Sequence, residues 1–264
     1  MTAPVFHLDP LPPAEVFVLG GPEGRHAATV RRLRAGERLD VTDGAGTALE
    51  CEVRSAGRDE LECVVLRRRS IGIPSPRLVV AQALAKGDRG ELAVEMMTEV
   101  GVDEIVPWAA SRCVVRWDGE RGERSRARWS RTAREAAKQS RRLSWPEVGG
   151  LVTTRQLAER ARRSALAVVL HETASTPLAG LAVPVREQEG AWEQEGAWEQ
   201  GRAGEPREIL LVVGPEGGVA DDELAAFTAA GAIAGRFGPT VLRTSTAGVV
   251  AAALVLADIG RLAG

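Results

Sequence analysis

The chain has 264 residues, 44% hydrophobic and 27% charged, with a formal net charge of −2; this describes a soluble globular protein of one large domain or two ordinary ones. No apolar run reaches about 18–20 residues, so no membrane span is expected, and MTAPVFHLDPLPPAEV lacks a basic patch ahead of an apolar stretch, so neither is a secretory signal. Cys51, Cys63 and Cys113 are scattered and form no CxxC pair, which suggests buried thiols in a reducing cytoplasm; with only three dispersed histidines, no metal site is expected.

Residues 1–70 read as β-rich. Apolar residues alternate at Leu39 and Val41, at Leu49, Cys51 and Val53, and at Leu61, Cys63 and Val65, with turn signals at Asp43-Gly44 and Ala56-Gly57. A small barrel or sandwich with one helix at about 24–34 is expected. RSIGIPSPR at 69–77 reads as a linker because Pro74 and Pro76 break regular structure.

Beyond it strands and helices alternate. Strands are expected at 78–85, in DEIVPW, and at 165–172, 208–214 and 232–238. Helices are expected at 88–101, capped by Asp88 and stopped by Gly101, and at 123–142, 221–231 and 245–260. Such alternation predicts a largely parallel α/β sheet. Residues 187–200 hold a tandem of EQEGAW, and 187–205 carry six glutamates against one arginine. Two copies cannot build a solenoid, so an acidic, disordered insertion is expected; a partner site using Trp192 and Trp198 is the alternative.

Charge is unevenly spread. Residues 112–142 carry eleven basic residues against four acidic ones, and RHAATVRRLR at 25–34 forms a second basic run. Two such runs in a slightly acidic protein point to a polyanion such as RNA. Solvated arginine helices in a GC-rich genome are the bland alternative.

Two glycine-proline turns stand out. LLVVGPEGGVADDEL at 210–224 joins a strand to a helix, and RFGPTVLRTSTA at 236–247 does so again. Neither the P-loop pattern nor GxGxxG is present. Asp221, Asp222 and Glu223 suit a helix dipole but would repel phosphate. A ligand without phosphate and with a positive charge, such as S-adenosylmethionine, suits the turn better. Rigid turns at the carboxyl ends of neighbouring strands can grip an adenine edge with main-chain groups; two purely structural turns are the alternative. His171, ending a third strand in LHE, reads equally as a site residue or a satisfied core histidine.

RHAATVRRLRAGERLDVTDG, KGDRGELAVEMMTEVGVDEIVPWAASRCVV, WSRTAREAAKQSRR, VVGPEGG and FGPTVLRTSTA together resemble the bacterial small-subunit ribosomal RNA uridine-N3 methyltransferases (RsmE) of the SPOUT superfamily. The resemblance covers nearly the whole chain. It implies a PUA-like RNA-binding β-barrel at 1–72 and a trefoil-knotted α/β methyltransferase domain at 73–264. It also implies a homodimer with the active site at its interface, and methylation of uridine N3 in 16S ribosomal RNA of the small subunit, in the cytoplasm. Departures are modest: Ser245 stands where an acidic residue often follows LRT, Ala220 where Ser or Thr often opens the helix, and Lys138-Gln139-Ser140-Arg141 where the family has EQSGR.

The implied S-adenosylmethionine site comprises Leu170, His171, Glu172, Gly214, Pro215, Glu216, Gly217, Gly218, Gly238, Pro239, Val241, Leu242, Arg243 and Thr244. Uridine N3 carries a proton, so the site must take it or stabilise the anion left on O2 and O4. Arg243 is the expected anion stabiliser. Glu216 could orient the ligand or accept a proton, or could bond the helix N-terminus of its own turn. Arg25, His26, Arg31, Arg32, Arg34 and Lys86, with Lys138, Gln139, Arg141 and Arg142 from the catalytic domain, are the expected RNA contacts. A non-catalytic RNA-binding or assembly protein is one competing reading, opposed by the intact turns. A methyltransferase for tRNA or a ribose hydroxyl is another, opposed by the sequence match.

Overall fold

The structure, a computed structural model, describes residues 3–72, 74–181 and 208–262; the EQEGAW tandem and the insertion expected at 187–205 lie outside the described residues. The chain divides into two compact units, 1–73 with 128–147 and 74–127 with 148–264.

In the first unit, β1 (Val5–His7), β2 (Val16–Leu19), β3 (Arg38–Thr42), β4 (Thr47–Ala56) and β5 (Leu61–Ser70) form a sheet of order β1-β3-β4-β5-β2. Only the β1–β3 pairing is parallel. Register shifts at Glu50/Cys51 and Val53/Ser55 mark bulges in the long β4–β5 pair, and bulges bend and twist a ribbon as a curled barrel wall requires. The alternating apolar residues face one core, where Phe6, Leu19, Leu39, Val41, Leu49, Cys51, Leu61 and Cys63 are buried. Burial pushes the Cys51 thiol up to about 12 and the Cys63 thiol to about 11, so both are protonated near neutrality.

The helix expected at 24–34 lies earlier, at 21–30. Helix α1 spans Gly21–Arg25, with Pro at its first turn, and continues as a π-helical turn over His26–Val30. The first unit also takes the second half of a helix the sequence reading placed with the parallel sheet. Helix α3, Gly119–Gln139, buries Trp129, Ala133, Ala136 and Ala137 on one face, and 128–147 belong to the first unit. Beyond α3, Trp145 lies flat against Gly44, donates from its main chain to the Gly44 carbonyl at 2.9 Å, and is flanked by the His7 ring and the Arg134 guanidinium.

The second unit is built on β6 (Arg77–Ala83), α2 (Arg89–Val100), β7 (Glu104–Ala109), β8 (Glu147–Val148), β9 (Val152–Thr153), α4 (Thr154–Arg163), β10 (Leu166–Leu170), β11 (Thr176–Pro177), β12 (Glu208–Val213), α5 (Asp221–Ala229), β13 (Ile233–Arg236) and α6 (Thr244–Asp258). The strand order is β11-β13-β10-β12-β6-β7-β8, with β9 also on β7, and the pairings from β11 to β7 are parallel. Buried strands in such a sheet read as continuous apolar runs, as LVVAQA and ILLVV do. One face packs on α4 and α5 through Leu157, Ala158, Ala161 and Phe227; the other packs on α2 and α6. Gly101 ends α2 at φ 113°, as expected, whereas Asp88 sits at its N-cap without a side-chain cap bond. At the amino ends of the strands, Arg160 makes paired bonds to Glu104, both 2.7 Å, and to Glu208, 2.9 and 2.7 Å, while Arg77 meets Glu104 at 3.1 Å. Burial alone would lower the Arg160 pKa; the two carboxylates overcome it and raise the value.

Candidate functional site

At the carboxyl ends of β10, β12 and β13 the second unit carries an open cavity of about 650 Å³, and both glycine-proline turns line it. The first turn is made by its glycines. A Cβ on Gly214 would lie 2.8 Å from the Val219 side chain, and Gly218 has φ 73°, a region L side chains rarely adopt. The Gly218 N–H closes the turn on the Pro215 carbonyl at 2.9 Å.

The acidic cluster after this turn has divided roles. Glu223 is buried. Its Oε1 accepts from Ser111 N at 2.8 Å and from the Thr154 hydroxyl at 2.8 Å, and its Oε2 accepts from Ala220 N at 3.2 Å. One carboxylate thus ties the end of β7, the start of α4 and the start of α5 together. Asp221 lines the cavity. Glu216 does not bond its own helix N-terminus, since Glu223 does. Instead Glu216 Oε1 accepts from Lys86 N at 3.2 Å and from Arg89 Nη1 at 3.3 Å, which ties the turn to the β6–α2 loop.

All fourteen residues expected at the ligand site line this one cavity: Leu170, His171, Glu172, Gly214, Pro215, Glu216, Gly217, Gly218, Gly238, Pro239, Val241, Leu242, Arg243 and Thr244. His171 is half-buried there, its Nδ1 3.0 Å from the Thr173 hydroxyl and its main-chain N–H on the Gly235 carbonyl at 2.9 Å. Arg243 is the N-cap residue of α6, and its exposed guanidinium has no bonded partner among the described residues. Thr244, by contrast, is buried and gives its hydroxyl to the Gly214 carbonyl at 2.7 Å.

Sequence reasoning missed other lining residues, chiefly Arg89, Arg112 and Arg236. Arg112 donates from Nη1 to the carbonyls of Gly217 at 3.1 Å and Val219 at 3.4 Å. It lies 105 residues from Gly217 in the chain, so no local pattern joins them. Helix α4 was also missed, though it carries a readable signal: Thr153 and Gln156 form a capping box.

The expected RNA contacts fall in the first unit, apart from Lys86. Arg31, Arg32, Arg34, Gln139 and Arg141 are exposed. Arg25 is exposed and pairs with Asp59 at 3.5 Å; Arg142 is half-buried. His26 packs edge-on against Phe6. Lys138 is buried, its ammonium 2.7 Å from Glu23, so its charge is committed inside the unit. The 25–34 run and the 128–142 part of the second run, far apart in sequence, belong to the first unit, while residues 112–127 of that run belong to the second. Among the described residues no group of three or more His, Cys, Asp or Glu is placed to hold a metal ion, and no helix is long and apolar enough to cross a membrane.

Residues 73–256 match the RNA methyltransferase domain family and residues 19–66 match the RNA methyltransferase PUA domain family; this is an RNA methyltransferase with a PUA-like domain. The ribosomal RNA small subunit methyltransferase E of Mycobacterium tuberculosis is 45% identical over 95% of this chain and 90% of its own length, and that of Bacillus subtilis 29% identical over 89% and 87%. The solved structure of the Neisseria gonorrhoeae ribosomal RNA small subunit methyltransferase E, bound to S-adenosyl methionine, shares the fold with a TM-score of 0.75 at 24% identity, covering 97% of this chain and 98% of that one. The chain belongs to the ribosomal RNA small subunit methyltransferase E family.

Proposed function

We propose that this protein transfers a methyl group from S-adenosylmethionine to N3 of a uridine in 16S ribosomal RNA of the bacterial small subunit, as a cytoplasmic homodimer. The observation that carries the reading is the convergence of both glycine-proline turns on one cavity in a chain of this family. The residues fit the ligand. The volume of about 650 Å³ is in the usual range for small-molecule sites. A Cβ on Gly238 would meet nothing within 4 Å, so the second turn is open to an incoming group. Glu172, Glu216 and Asp221 line the same space as Arg89, Arg112, Arg236 and Arg243, a mixed lining suited to a ligand carrying both charges. Val241 is 72% exposed on that lining, which supports a wall completed by a second copy. The knotted path of the chain implied by the resemblance is part of this proposal.

When bound, S-adenosylmethionine supplies an electrophilic methyl on a sulfonium sulfur. The two turns would hold it, and orientation of this kind contributes roughly 7–11 kcal/mol to a displacement. Uridine N3 must give up its proton to solvent, and the Arg243 guanidinium would stabilise the resulting charge on O2 and O4. Glu216, bonded to Lys86 and Arg89, orients the turn. Arg31, Arg32, Arg34 and Arg141 position the RNA through phosphates.

Two assays on the same variants test these roles. Arg243→Ala should slow single-turnover methylation of RNA-saturated protein while RNA affinity holds, the signature of a group acting in the transition state. Arg31→Ala and Arg32→Ala should weaken RNA binding and lower the log–log salt slope by roughly 0.7–0.9 each. An Arg243→Ala protein with weakened RNA binding and an unchanged single-turnover rate would move Arg243 into the positioning group.

A further inference from the structure

Strand β6 crosses the middle of the parallel sheet, and between Leu78 and Ala83 its one polar residue is Gln82, which is fully buried. The carboxamide nitrogen donates to the Ala83 carbonyl at 3.2 Å and to Thr244 Oγ1 at 2.9 Å. The Thr244 hydroxyl in turn donates to the Gly214 carbonyl at 2.7 Å. A carbonyl only accepts, so the Ala83 contact fixes which end of the amide is nitrogen. The other end, Oε1, is buried with no partner. Gly248 makes room for it: a Cβ there would sit 3.4 Å from Oε1 and 2.8 Å from the Met97 sulfur.

An amide with an unpaired acceptor is a poor core residue, and a methionine of similar volume would pack at lower cost. What methionine cannot do is hold the Thr244 hydroxyl. Gly214 begins the first turn and Thr244 follows the second, so the chain Gln82–Thr244–Gly214 joins both turns to the centre of the sheet. Gln82 itself does not line the cavity.

We propose that Gln82 is a positioning residue of the ligand site, acting through Thr244 to fix the spacing of the two turns that grip S-adenosylmethionine. This rests on the reading of the cavity given above. The amide anchors the hydroxyl, the anchored hydroxyl presents its proton to Gly214, and the main-chain groups of both turns are set before the ligand arrives. Preorganisation of this kind appears in affinity rather than in new contacts.

The test is calorimetric titration of the full chain with S-adenosylmethionine, well below the melting temperature, alongside thermal melts. Thr244→Val and Gln82→Met should each weaken binding about tenfold, the scale of one or two buried hydrogen bonds. Thr244→Ser should restore most of what valine loses. The double variant Gln82→Met/Thr244→Val should bind no worse than the weaker single variant, because both break one chain. Variants that melt lower yet bind like the wild type, or penalties that add, would overturn the proposal. Should Gln82→Met not fold, the serine–valine pair decides: affinity kept with both hydroxyl and methyl sinks the idea. A wild type that does not bind S-adenosylmethionine overturns the reading of the cavity, and this inference with it.

Discussion

Removing the Glu223 carboxylate should destabilise the second unit more than any exposed acidic residue of the same helix could. The side chain is 4% exposed and accepts from Ser111 N, Thr154 Oγ1 and Ala220 N. Hydrogen bonds to charged groups contribute about 1.5–3 kcal/mol each. In Glu223→Ala the Thr154 hydroxyl can turn to another acceptor, but the two main-chain N–H groups cannot move. The two lost main-chain bonds give about 3–6 kcal/mol, a large share of a domain stability of about 5–15 kcal/mol. Glu223→Gln should be milder. The amide oxygen keeps Ser111 and Thr154, while its NH₂ faces the Ala220 N–H, for a cost of about 1–2 kcal/mol. In thermal melts the alanine variant should fall on the order of 10 °C below wild type and the glutamine variant a few degrees below. Neighbouring Asp222→Ala should change little. If Glu223→Ala melted within a degree of wild type, the carboxylate would not be the tie between β7, α4 and α5.

Three further outcomes follow from the packing. Arg160→Met leaves the buried carboxylate of Glu104 and the half-buried one of Glu208 facing one another and should cost about 3 kcal/mol or more; an unchanged urea midpoint would contradict this. Because Arg160 sits at the amino ends of the strands, the same variant should bind S-adenosylmethionine like the wild type at low temperature, and a large loss of affinity would show the two ends of the sheet to be coupled. His7 is held below its ordinary value of 6.5 by burial and then by the Arg134 charge. The unfolded chain therefore takes up this proton first, so the contribution is full above pH 6.5 and is lost as pH falls through the folded value. His7→Asn should flatten the decline of melting temperature between about pH 7.5 and 5, and parallel curves for the two proteins would count against the assignment.

The parallel sheet was legible because its strands are short apolar runs separated by helical periodicity, and nothing competes with that signal in LVVAQALA or EILLVVG. The cavity was legible because both turns carry their own glycines and prolines. Less readable was where α3 packs. Its amphipathic spacing shows that one face is buried, but not against which partner, and the long arginine-rich segment gave no hint that Trp129 and Trp145 serve the first unit. Glu223 looked like part of a dipole-complementing cluster because its partners Ser111 and Thr154 lie 112 and 69 residues away. Lys138 looked like an RNA contact because Glu23, which neutralises it, lies 115 residues earlier. In each case the residue type was plain and the distant partner was not.

Small-subunit ribosomal RNA carrying no prior methylation at the target, incubated with this protein and isotopically labelled S-adenosylmethionine, should acquire one labelled methyl. Nuclease digestion and mass spectrometry should find it on N3 of a single uridine. Label on a ribose hydroxyl, on another base, or only on transfer RNA would contradict the account.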